Sequence, residues 1–197
     1  MRNSLKDKRD EVLFDFFKIE ISHLHDMATK DEIDLLFFDE SGFSLKPNVP
    51  YCWQEKGKTL SLPANRTQRF TVQGLLNVHT QEFYGSVYNG SANAQTTIQV
   101  LDKFSQNLSR KTIVILDNAS IHKADIVKEM YPIWQKRGLF LQFIPAYSPE
   151  LNLIEILWKQ LKHFWLEAKH YQSFHILQQN VINILSNYGN KYQISFG

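Results

Sequence analysis

The sequence predicts an α/β fold, a mixed five-stranded sheet flanked by helices. Segments of strand and helix character follow in the order β, β, β, α, β, α, β, α between flanking helices, and three strands in succession followed by alternation indicate mixed pairing with helices on the faces of the sheet. Two of the strands are unbroken apolar runs, the pattern of strands buried on both faces. Each of these runs ends in an aspartate, Asp39 and Asp117.

Residues 8–29 set Val12, Leu13, Phe16, Phe17, Ile19, Ile21, Leu24 and Met27 in helical rhythm. Ile33 to Phe38 is a short apolar run that reads as a buried strand ending at Asp39. Pro47 and Pro50 break the next stretch into loop or short edge strands, with Tyr51-Cys52-Trp53 as one candidate. Phe70–Thr80 and Glu82–Tyr88 are rich in β-formers and separated by a polar break, which predicts a hairpin. Residues 93–108 carry Ile98, Leu101, Phe104 and Leu108 at helical spacing, and Thr112–Leu116 is the second apolar strand. A helix over about 123–136 is closed by Gly138, and Leu139–Ile144 forms the last strand, ended by Pro145. Ser148, Pro149 and Glu150 supply an N-cap, a first-turn proline and a first-turn acid for a helix to about Ala168. A final helix covers 173–187. This order matches the ribonuclease H-like fold.

At 197 residues, 43% hydrophobic and 13% aromatic, the chain suits one well-buried domain. No apolar run approaches the roughly 18 residues that span a bilayer. The N-terminus has no apolar core of a secretory signal. The single cysteine, Cys52, fits a reducing compartment and is expected to pack beside Trp53. We read the chain as cytoplasmic. Its net charge of +2 is not that of a protein held to nucleic acid by bulk charge, so a DNA contact requires a local patch or a further segment. Phosphate-binding glycine loops, the nucleophile-elbow serine and paired CxxC motifs are absent. His23, His25, His163, His170 and His175 lack zinc spacing and read as ordinary histidines.

The carboxylates point to a different chemistry. If the two apolar strands are neighbours, the residues at their ends lie about 5 Å apart. Two carboxylates at that distance repel unless a proton or a cation is shared, and a hard divalent cation suits oxygen ligands. Each aspartate alone is equally consistent with a loop start. On the helix after Pro149 the apolar stripe is Leu151, Ile154, Leu161, Trp158 and Trp165, and Glu155 falls about 80° from its centre, beside Lys159 and Lys162. That position is open both to the sheet edge and to a solvated pair with Lys159. Glu150 is a rival acid, already explained by the helix dipole. Three converging carboxylates could hold two magnesium ions on a phosphodiester for an in-line displacement.

Three strings carry a family resemblance: Phe38-Asp39-Glu40-Ser41, Leu116-Asp117-Asn118-Ala119-Ser120-Ile121-His122, and Pro145 through Glu155 continued by Leu157-Trp158-Lys159. Together they resemble the DDE catalytic domain of IS630-type transposases, in the IS630/Tc1/mariner superfamily. The likeness runs over about 30–170, with 37 residues between Asp117 and Glu155.

The resemblance implies that Asp39, Asp117 and Glu155 are the catalytic, metal-holding acids, with Mg²⁺ as cofactor in two sites and Mn²⁺ able to substitute. It places Asn118 and His122 near the site, orienting an acid or touching a phosphate; capping of the turn and of the next helix is the structural alternative. Tyr147 and Trp158 match the motif and read mainly as packing. Lys159 and Lys162 are candidate DNA-phosphate contacts, or solvated lysines.

The implied reaction is metal-dependent DNA strand cleavage and strand transfer at transposon ends and target DNA, at TA sites. The implied assembly is a homodimer on DNA, in the bacterial cytoplasm and at the nucleoid when bound. Full-length relatives carry an N-terminal helix-turn-helix region, so a separate segment or an upstream reading frame is expected to supply it. The alternative is a domesticated or inactive remnant with a DNA-binding or assembly role. We divide the chain into a helical lead-in (1–30), the DDE catalytic domain (31–170) and a helical tail packed on the same domain (171–197).

Overall fold

The computed structural model describes residues 8–47, 56–57 and 67–196. Tyr51, Cys52 and Trp53, and the edge strand expected there, lie outside the described residues. In chain order the elements are α1 (Glu11–Thr29), β1 (Asp34–Ser44), β2 (Arg69–Asn77), β3 (Glu82–Asn89), α2 (Ala94–Ser105), β4 (Thr112–Leu116), α3 (Asp125–Lys128), α4 (Tyr131–Lys136), β5 (Leu139–Phe143), α5 (Ile154–Gln160) and α6 (Phe174–Ser186).

The five strands form one sheet in the order β3-β2-β1-β4-β5. The β1–β2 and β2–β3 pairs are antiparallel, while β1–β4 and β4–β5 are parallel. This is the mixed sheet that the order of segments predicts, and β1 is its central strand.

The apolar run of β1 is buried on both faces. Leu35 and Phe37 pack with Ile115, Ile154, Leu157, Trp158 and the α6 residues Leu177, Val181 and Ile184. Leu36 and Phe38 pack on the other face with Leu101, Val114, Leu116, Val127 and Trp134. Successive side chains of a strand point to opposite faces, so the residues that follow inherit the alternation. Asp39 belongs to the face of α5, and Glu40 to the face of α2 and α3.

Three boundaries differ from the sequence reading, each for a physical reason. β1 does not stop at Asp39 but continues to Ser44, because β2 pairs with it from Asn77 back to Arg69. Its parallel neighbour β4 does stop, at Leu116. The helix expected over 123–136 is a 3-10 turn at Ser120–His122 followed by α3 and α4. Pro132, at the start of α4, has no N–H to continue the ladder and separates the two. The helix expected from Pro149 is likewise interrupted. Pro149–Leu151 is a 3-10 turn, Asn152 is extended, and α5 begins only at Ile154. Ser148 makes no side-chain cap. Asn152 instead donates its amide to the carbonyl of Phe38 at 3.0 Å, which pulls the chain out of helix.

Gly138 closes α4 in the left-handed region at φ 93°, where a side chain is disfavoured, as the sequence suggests. Behind the sheet, fully buried Trp134 donates its indole N–H to Asp102 at 3.2 Å, and Arg137 holds the same carboxylate at 2.6 Å. Among the described residues no helix is long and apolar enough to cross a membrane.

Candidate active site

The parallel register of β1 and β4 pairs Phe37 with Ile115. Continued by two residues, it sets Asp39 opposite Asp117, at the point where β4 gives way to a loop. Asp39 is therefore held in mid-strand with Gly74 as its partner on β2, whereas Asp117 stands on the loop that follows β4. Glu155 lies in the first turn of α5. The bond from Asn152 to the Phe38 carbonyl ties the approach to that helix directly to the residue before Asp39. A cleft of about 850 Å³ is lined by Asp39, Glu40, Glu155, Trp158, Lys159 and Lys162, among others.

The carboxyl of Asp39 is raised well above the usual carboxylate range. Burial is the main cause, and the charges of Glu155, Glu40 and Asp117 add to it, against a hydrogen bond from the Glu40 backbone. A donor comes from the helix: the indole N–H of Trp158 reaches Asp39 Oδ2 at 3.1 Å. Trp158 is 3% exposed and stands edge-on to Phe83, with ring centroids 5.9 Å apart. Two glycines make room for this arrangement. A Cβ at Gly74 would overlap the Phe83 ring, and one at Gly85 would lie 2.7 Å from it. Trp158 thus packs, as the sequence suggests, and also bonds directly to an acid of the site.

Asp117 is held from the other side. Its Oδ1 accepts the Ala119 amide at 2.9 Å and is ion-paired with His122 Nδ1 at 2.9 Å, while the same ring nitrogen bonds the Asp117 main-chain carbonyl at 3.4 Å. His122 has no exposed surface, and its Nε2–H reaches Glu40 Oε2 at 3.2 Å. With a carboxylate at each nitrogen the ring donates from both, which requires the imidazolium. Burial opposes that charge, but the hydrogen bonds to Asp117 and Glu40 and the charges of both acids outweigh it and push the ring up to about 9. For Asp117, burial pushes the carboxyl up, and the bonds from His122 and Ala119 together with the imidazolium charge leave it below the usual range.

Because the His122 value is raised on folding, its contribution is complete below 6.5 and is lost as pH rises through about 9. The shift corresponds to about 3 kcal/mol. The melting temperature of the metal-free protein is therefore expected to fall as pH rises through that value. A His122→Asn chain, followed by circular dichroism, should lose most of that dependence; an unchanged slope would remove the imidazolium from the account.

The remaining residues singled out in the sequence are placed as follows. Asn118 donates to the Ile144 carbonyl at 2.7 Å and ties the ends of β4 and β5 together. Tyr147 is 45% exposed with a left-handed φ of 60°, so it is not the packed residue its motif suggested. Lys159 and Lys162 line the cleft, and the Lys162 ammonium lies 5.1 Å from the centre of the Phe43 ring. Glu40, Asn152 and the Trp158 bond were missed by sequence reasoning. Strand alternation, which sends Glu40 to the face opposite Asp39, was the available signal for the first.

Among the described residues no three His, Cys, Asp or Glu side chains stand as a ready-made metal cage. Carboxylates that share a site without a cation repel, and here Asp117 is drawn to His122 while Asp39 and Glu155 line the cleft. The donor set nevertheless fits a hard divalent cation. A half-buried Asp39 carboxyl, raised by burial and by neighbouring acids, is a site short of positive charge. Two buried oxygens beside the acids, Asn118 Oδ1 and Asn152 Oδ1, have no hydrogen-bond partner among the described residues.

The fold recurs in solved structures. The Mos1 transposase paired-end complex with the left transposon end is 18% identical over 92% of this chain and 54% of that one, with a TM-score of 0.62. The Mos1 strand transfer complex is 19% identical over 91% of this chain and 53% of that one, at 0.61. The Mos1 mariner paired-end complex with Mn is 18% identical over 89% and 52%, also at 0.61. At such identities the likeness is one of fold, the ribonuclease H-like fold. The chain spans about half the length of these proteins. No curated protein matches it by sequence. The model of the DDE superfamily endonucleases matches residues 34–178, a stretch that contains Asp39, Asp117 and Glu155, and the chain belongs to that family.

Proposed function

We propose that the chain is the catalytic domain of a DNA transposase of the IS630/Tc1/mariner group, in which Asp39, Asp117 and Glu155 hold two Mg²⁺ ions, replaceable by Mn²⁺. The observation that carries this reading is the placement of Asp39 opposite Asp117 across the parallel strands β1 and β4, with Asp39 and Glu155 lining one cleft edged by Lys159 and Lys162. Family membership and the Mos1 complexes with transposon-end DNA, and with Mn, support it. Bound there, divalent cations supply Lewis-acid activation of an attacking oxygen and neutralise charge on the leaving oxygen of a phosphodiester.

The chain's own residues do the positioning. β1 fixes Asp39, Trp158 orients its carboxylate, His122 orients that of Asp117, and Asn152 sets the start of the helix that bears Glu155. Lys159 and Lys162 contact the DNA backbone and fix its path over the cleft. The substrates are transposon ends and TA target sites, attacked first with water and then with the freed 3′-hydroxyl. A homodimer assembles on DNA, and a helix-turn-helix segment outside this sequence recognises the ends. The site of action is the bacterial nucleoid.

Calorimetric titration with Mn²⁺ and a supercoiled-plasmid nicking assay test the reading. Wild type should bind and nick. Asp117→Asn and Glu155→Gln should lose more than the roughly 10–100-fold that removal of an outer-shell partner costs. Variants that bind and nick like wild type would overturn the assignment.

A further inference from the structure

We propose that Glu40 is a positioning residue of this site, acting on Asp117 through His122; the inference rests on the metal-holding role proposed for Asp117. Glu40 follows Asp39 on β1 and lines the same cleft. Left unpaired there, it would be a surplus negative charge beside acids that already repel one another. Its carboxylate instead accepts Nε2–H of His122 at 3.2 Å, and the other ring nitrogen is ion-paired with Asp117 Oδ1 at 2.9 Å.

The ring is enclosed. It has no exposed surface, Phe38 meets it edge-on at 5.4 Å, and Tyr131 donates its hydroxyl to the His122 carbonyl at 3.2 Å. Glu40 is 26% exposed and Asp117 50%, so the buried ring joins two partly open carboxylates, one on the central strand and one on the loop after β4. Among the described residues the Asp117 carboxylate is held through Oδ1, and its main-chain carbonyl takes a longer bond, 3.4 Å, from the same His122 nitrogen. Oδ2 is thereby kept for a cation. Glu40 fixes the rotation of the ring and hence the plane of the Asp117 carboxylate, and the same bond takes its own charge out of competition for the ion.

The test is a double-mutant cycle read by calorimetric titration of the full chain with Mn²⁺ alone, with thermal melts as the check on folding. Glu40→Gln should fold and bind Mn²⁺ about tenfold or more weakly. His122→Asn keeps a short amide donor for Asp117 but cannot also reach Glu40. In that background Glu40→Gln should therefore add little. An equal further loss there would make Glu40 an independent ligand and overturn the proposal, as would a folded Glu40→Gln chain that binds like wild type.

Asp117→Asn separates the two levels of the argument. If it abolishes binding while Glu40→Gln does nothing, only the role of Glu40 fails. If Asp117→Asn itself binds like wild type, the metal-holding reading fails and this inference goes with it.

Discussion

Asp39→Asn is expected to abolish strand cleavage and yet to melt at a higher temperature than wild type when no metal is present. The Asp39 carboxyl is raised well above its ordinary value by burial and by Glu155, Glu40 and Asp117. A group raised in this way favours the fold in its protonated form, and the benefit is lost as pH rises through the folded value. At neutral pH, above the ordinary carboxylate value, the raised group is thus a cost to the metal-free protein. An amide has the same shape, keeps an oxygen for the Trp158 indole and carries no charge. A gain of about 1 kcal/mol moves the melting temperature of a domain this size by roughly 2–4 °C. Calorimetric melts should show Asp39→Asn above wild type without metal, with the gap shrinking as pH falls and Asp39 takes up its proton. Added Mn²⁺ should raise wild type and leave the variant in place. A variant that melts below wild type at neutral pH would show that the Asp39 carboxyl is not raised by burial and its acidic neighbours.

Trp158→Phe is expected to lower cleavage by roughly 10–100-fold, the usual cost of removing a donor that orients a metal ligand, the role proposed for Asp39. Its stability should change much less, because Phe retains most of the apolar contact with Phe83. Trp134 supplies the control within the same molecule. It too is buried and donates its indole N–H to an aspartate, Asp102, but on the far side of the sheet. Trp134→Phe is expected to cost about 1–3 kcal/mol, from lost volume and a lost hydrogen bond, with nicking per folded molecule unchanged. Rates measured across a Mn²⁺ series distinguish the two, since Trp158→Phe should require more Mn²⁺ to reach half its maximum. Equal losses of cleavage in both variants would reduce the Trp158 bond to packing.

The contrast between the two tryptophans marks how far the sequence could be read. The apolar runs before Asp39 and Asp117 identified the two central strands, because burial on both faces leaves a continuous apolar signature. The mixed sheet followed from the succession of elements. The boundaries that failed were those set by tertiary contacts. Pro149 and Glu150, just ahead of Asn152, carry the local signals of a helix start. Nothing near them announces that Asn152 will bond to a carbonyl 114 positions away and break that helix. The same holds for Trp158 and Asp39, 119 positions apart, and for His122 and Glu40, 82 apart. A motif shows that such residues belong together without showing which atom holds which.

The three acids stand on supports of unequal stiffness. Asp39 is clamped in the middle strand of the sheet, between β2 and β4, among the segments that open last in a folded domain. Asp117 stands on a loop, and Glu155 on a helical turn that follows a break in the chain. If the three acids hold cations as proposed, an ion would meet one firmly held post and two arms that can swing by small backbone adjustments. Adaptation between a water nucleophile and a bulkier DNA end would fall to the arms, while the post keeps the reference position for both.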